Sequence, residues 1–155
     1  MFLPMVLNSL NPLLKETFVN ELLKCNERTK DYGLVLTPEG AESIIEARNN
    51  ILNSLGRVDM GIEVALGLIE NFYTSTFINE ENYVSVLNEF QEIFYYMKNE
   101  TEDMISDDKL ICIIKDYYEN LCGGSLELLK SCLEEFIHDF RRKAHTAEAG
   151  LGGEE

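Results

Sequence analysis

The residues best suited to chemistry in this chain are Glu135 and His138. They form an E-x-x-H on a helical stretch, and side chains three positions apart leave one helix face together and offer two metal ligands. A dinuclear carboxylate centre of that type needs a second E-x-x-H and two further glutamates on facing helices. The only other histidine, His145, has Arg142 three positions before it, so the set is incomplete and His138 reads as a surface or half-buried helix residue. A Ser-His-Asp or Cys-His arrangement would have to use one of the same two histidines, and there is no G-x-S-x-G nucleophile turn. Gly123-Gly124-Ser125 lacks the lysine of a phosphate loop and reads as the stop of one helix and the cap of the next. Residues 99–108 are acidic but lack the D-x-D-x-D-G spacing of a calcium loop. No catalytic residue, metal or cofactor is therefore assigned, although 28 acidic residues leave room for a reactive carboxylate pair.

The four cysteines, Cys25, Cys112, Cys122 and Cys132, contain no C-x-x-C, and the last three are spaced by ten, which suits neither a zinc ribbon nor a redox motif. They read as small apolar core residues of a protein from a reducing compartment.

The elements that must carry these groups are helices. From Asn79 to Lys98, Tyr83, Val86, Phe90, Ile93 and Met97 step by three and four along one face. Thr37-Pro38-Glu39 opens a helix that Gly56 closes, and Asn11-Pro12 opens one that runs to Gly33. A further helix starts near Met60 and carries Ile62, Ala65, Leu66, Ile69 and Phe72. Ser106 caps a fifth that runs to Leu121, and Ser125 a sixth that ends at the basic triplet Arg141-Arg142-Lys143. Leu34-Val35-Leu36 is an extended connector, expected to pair with Phe2-Leu3. The fold expected is all-α, a compact bundle of five to six helices with an N-terminal apolar arm: residues 1–146 form a single helical domain and 147–155 a disordered tail.

A chain of 155 residues with 45% apolar content supports one core. Its net charge of −15, of which residues 79–109 carry −7, repels phosphate backbones, so nucleic acid is not an expected partner. Residues 1–10 lack the basic start and cleavage site of a secretory signal, and no apolar run is long enough for a membrane helix, so the expectation is a cytoplasmic protein with no membrane partner.

Taken together, Leu36-Thr37-Pro38-Glu39, Gly56-Arg57-Val58-Asp59, Asn82-Tyr83, the run from Phe94 through Tyr95-Tyr96-Met97-Lys98-Asn99 to Glu100, and Gly124-Ser125-Leu126-Glu127 resemble an uncharacterised family of small helical proteins from Gram-positive anaerobic bacteria. The resemblance spans about residues 1–140 and implies no activity, cofactor or partner. It does single out Arg57, Asp59, Tyr95, Lys98, Asn99 and Glu100, polar where packing alone would accept many residues. A helix can turn only one or two of Phe94-Tyr95-Tyr96 inward, so Tyr96 joins them as a candidate contact surface. The function expected is a non-enzymatic interaction or regulatory module acting on a protein partner or on a second copy of itself, as in a homodimer. The alternative is an enzyme or small-ligand binder using carboxylate, Tyr or Cys groups in a pocket between helices.

Overall fold

The computed structural model describes residues 12–154, with side chains as far as 146. The apolar arm, the Asn11 cap and the pairing of Phe2-Leu3 lie outside that range. Among the described residues there are six long helices and no strand, an all-α protein. They are α1 (Pro12–Lys24), α2 (Pro38–Leu55), α3 (Glu63–Phe72), α4 (Tyr83–Glu100), α5 (Asp107–Asp116) and α6 (Leu126–Glu154). The chain divides into two compact units, with the boundary inside α4 between Tyr95 and Tyr96.

In the first unit α1 packs against α2. The helix expected to reach Gly33 instead breaks after Lys24 into the turns Asn26–Thr29 and Lys30–Tyr32. The cause is the extended run Leu34–Leu36, whose backbone groups need partners. Asn26 supplies two, its Nδ2 donating to Leu36 O at 3.0 Å and its Oδ1 accepting from Leu36 N at 2.8 Å. Thr29 Oγ1 donates to Leu34 O at 2.6 Å, and Glu80 Oε1 accepts from Val35 N at 2.9 Å. Side chains thus do for this connector what a neighbouring strand would do.

Helix α2 begins as its cap dictates, with Thr37 Oγ1 accepting from Gly40 N at 3.0 Å, and ends at Gly56 in the left-handed region (φ 68°) with Arg57 N bonded to Leu52 O. Helix α4 starts at Tyr83, later than expected, because Asn79 and Asn82 exchange side-chain bonds to each other's amides at 2.8 and 3.1 Å and form a separate turn. Its stripe is inside: Tyr83, Val86, Phe90, Ile93 and Met97 are all buried. Phe90 lies against Phe72, the rings tilted by 33° with centroids 4.1 Å apart, and burying a side chain of that size contributes about 1.5–3 kcal/mol.

The second unit holds the last turn of α4, α5 and α6. Ser106 Oγ caps α5 by accepting from Lys109 N at 3.3 Å. The helix then widens into a π turn over Tyr117–Leu121, with Cys122 N bonded to Tyr117 O, before Gly123 and Gly124 reverse the chain. Helix α6 packs its Leu129, Leu133 and Ile137 inward. Its bound at Glu154 leaves the basic triplet inside the helix rather than at its end, with Arg141 paired to Glu100 and Arg142 to Asp139. The side chains of 147–155, read from sequence as a tail, are outside the described set. The cysteines are less uniform than expected: Cys122 is buried, Cys25 and Cys132 are half-buried, and Cys112 is exposed.

Candidate functional site

The arrangement in the first unit that most exceeds what packing requires is built around Arg48. It occupies an inward position of α2, one turn after Ile44 and one before Leu52, and is 3% exposed. A guanidinium at such a depth needs its donors satisfied. Nη2 donates to the carbonyls of Asp59 and Gly61, both at 2.7 Å, Nη1 to Asn49 Oδ1 at 2.7 Å, and the cation lies over the Phe18 ring at 5.5 Å. Nε is buried without a hydrogen-bond partner. Among the described residues no carboxylate pairs with Arg48. Its charge is spent on the backbone of the loop between α2 and α3.

That loop is fastened from a second side. Tyr95, 2% exposed on α4, donates its hydroxyl to Asp59 Oδ2, and the Arg57 guanidinium lies 5.9 Å from the Tyr95 ring centroid. Two carbonyls, one carboxylate and one guanidinium are thereby held. Two apolar side chains of the loop are turned to solvent, Val58 57% and Met60 85% exposed, while Ile62 is buried. Helix α3 begins only at Glu63, because the carbonyls of Asp59 and Gly61 serve Arg48 instead of a first helical turn.

Of the candidate contact residues, Arg57, Asp59 and Tyr95 are brought together here, with Tyr95 as a buried strut rather than a presented side chain. Tyr96, Lys98, Asn99 and Glu100 belong to the second unit. Tyr96 is 41% exposed and donates to Glu134 Oε2 at 2.6 Å; that hydrogen bond, more than burial, pushes its phenol up to about 12. Lys98 is buried, its Nζ donating to Ile105 O at 2.7 Å and pairing with Asp107 Oδ1 at 2.8 Å. Asn99 O accepts from Glu102 N and Lys98 O from Asp103 N, a Schellman ending with Glu102 in the left-handed position usually taken by glycine (φ 56°). Glu100 accepts from Arg141 Nη1 at 3.0 Å, and this pair lines a half-open cleft of about 290 Å³ with Met104, Phe140 and His145.

Sequence reasoning missed Arg48. The signal was available: a lone charge inside the stripe Ala41, Ile44, Ile45, Leu52 is an inward position that has to be satisfied. Gln91, 1% exposed on α4, is a second case; it donates Nε2 to Ile44 O at 3.2 Å while its Oε1 has no partner. Glu135 and His138 are both exposed, and among the described residues no group of three or more His, Cys, Asp or Glu side chains converges as a metal site would require. No described helix is long and apolar enough to cross a membrane.

These features belong to an all-helical protein whose described residues form two compact units. A family model covers residues 21–146, and the chain belongs to that family of unknown function, DUF6323. Nothing among curated proteins and nothing among solved structures matches the chain.

Proposed function

We propose that the protein is a non-enzymatic interaction module of the cytoplasm of a bacterial cell, and that its contact element is the loop Arg57–Gly61. The observation that carries this reading is the fastening of the loop: the carbonyls of Asp59 and Gly61 are tied to Arg48 and an Asp59 carboxylate oxygen to Tyr95, while Val58 and Met60 are turned to solvent. Exposing Met60 has a hydrophobic cost, and the buried charge beneath it costs more, so the geometry favours a side chain kept ready for a partner. The pre-fastened backbone lowers the ordering entropy lost on binding, and methionine adapts to the recess it enters. A net charge of −15, with the exposed Asp59 between Val58 and Met60 and Glu63 beyond them, favours a protein partner whose apolar recess has a basic rim.

A photo-crosslinking amino acid in place of Met60 tests the reading, with the same residue in place of Met104 as control. A discrete adduct from position 60, absent from 104 and suppressed by Val58→Asp, supports it. Equal labelling from both positions, or none from 60, refutes it. The second reading, a small-ligand binder, draws on the cleft beside Glu100 and Arg141, and predicts that Phe140→Ala changes ligand-induced thermal shifts while Met60→Asp does not.

A further inference from the structure

The cleft of the second unit joins a pair of opposite charges to apolar side chains, and strained backbone forms part of its wall. Glu100 and Arg141 lie 3.0 Å apart in it, beside Met104 and Phe140, around a half-open volume of about 290 Å³. That volume has room for one small metabolite of amino-acid size and not for a nucleotide or a folded peptide. The Arg141 side chain is 61% exposed, and Glu100 is its one ion-pair partner among the described residues, so most of its planar fork stays open. Glu102 and Asp103 follow each other in the left-handed region, at φ 56° and 58°, the only non-glycine residues there among those described. A Cβ makes that conformation costly, and glycine would take the place of Glu102 without the cost. Residues held in this way cluster at ligand sites. Glu102 lines the cleft and enters no ion pair among the described residues. The chain thus keeps a free carboxylate at a position whose backbone favours no side chain.

We infer that this cleft binds a zwitterionic α-amino acid with a bulky apolar side chain. The α-carboxylate takes the open edge of Arg141, which suits a planar anion. The α-ammonium is held by the Glu100 and Glu102 carboxylates beside the carbonyl end of α4, where a positive charge is favoured. The apolar group rests on Met104 and Phe140. A free anion is repelled by a net charge of −15, and a plain cation meets Arg141; a ligand with both charges on one carbon and no net charge meets neither obstacle. The inference rests on the cleft of the second reading and is independent of the Met60 loop.

Isothermal titration calorimetry of the full chain with L-phenylalanine, L-phenylalaninamide and N-acetyl-L-phenylalanine separates the two charges. L-Phenylalanine should bind saturably at millimolar concentration or below, and each blocked form about tenfold or more weakly, because each loses one charge-assisted contact. Arg141→Met should erase the discrimination against the amide, and Glu102→Gly should reduce the discrimination against the N-acetyl form. Glu102→Gly also relieves the left-handed backbone, so a higher urea midpoint together with lost discrimination separates binding from damage to the fold. A blocked form that binds as tightly as L-phenylalanine, the amide for a peptide amino terminus or the N-acetyl form for a carboxy terminus, would overturn the zwitterion and leave the cleft a ligand site. No saturable binding by any of the three, or discrimination unchanged in both variants, would also overturn it. The second reading itself falls only if Phe140→Ala leaves every ligand-induced thermal shift unchanged.

Discussion

Replacing Arg48 by Met isolates the role of the buried guanidinium, because the stem is kept and the donors are removed. Two charge-assisted hydrogen bonds to the Asp59 and Gly61 carbonyls disappear, each worth about 1.5–3 kcal/mol, for a gross loss of roughly 3–6 kcal/mol. Part returns, since an ion with an unpartnered Nε no longer has to be buried and water reaches the exposed loop to serve the freed carbonyls. The net expectation is a destabilisation of about 2–3 kcal/mol, a fall in Tm of roughly 5–10 °C. The chain has no tryptophan, so urea unfolding is best followed by far-UV circular dichroism. Trypsin supplies a local readout, because it cuts after Arg57 only if the loop opens; that cut should accelerate more than any other in the digest. Arg48→Lys should recover only part of the loss, since an ammonium cannot span both carbonyls and Asn49 as the planar fork does. Stability within about 0.5 kcal/mol of wild type, with an unchanged cut after Arg57, would refute the argument.

Three further outcomes follow from the same kind of reasoning. Glu102→Gly should stabilise by about 1 kcal/mol, read as a higher urea midpoint at unchanged slope, because glycine removes the left-handed penalty at φ 56°. Tyr83→Phe should be neutral or stabilising by up to ~1 kcal/mol in the same assay: burial pushes this phenol up to about 12, its hydroxyl makes no well-directed hydrogen bond, and the nearby Thr29 hydroxyl gives its proton to Leu34 O. Tyr96 is raised to about 12 from 10 by the bond to Glu134, so the folded state favours the protonated phenol; its contribution is whole below pH 10 and disappears as pH rises through 12. An ultraviolet titration should therefore show one fewer late-ionising tyrosine in Tyr96→Phe, and an unchanged curve would exclude the bond.

What could be read in advance was whatever depends on local chemistry. Thr37, Gly56, Ser106 and Ser125 each act where their types say, since a cap is settled within four residues. Boundaries failed where a distant group competed for the backbone: Arg48 takes the carbonyls that would have opened α3 from Met60, and Asn26 leaves its helix to serve Leu36. The same competition explains the candidate residues. Arg57 and Asp59 were visible as unusual polar positions, but that Tyr95 would be the strut beneath them rests on a pairing 36 positions apart, for which periodicity has no signal. The π turn over Tyr117–Leu121 was hidden for a similar reason, because it changes the face on which a side chain emerges and leaves no mark in the hydrophobic pattern.

The central claim is that an inward-tied loop presents Val58 and Met60 to a partner. Its most direct measurement is quantitative co-purification from native lysate with tagged wild type, Met60→Asp and, as a control at another exposed methionine in the other unit, Met104→Asp, each shown to be folded. The account predicts that one protein is retained by wild type and by Met104→Asp and is lost with Met60→Asp. Equal recovery by all three, or loss only with Met104→Asp, would contradict it.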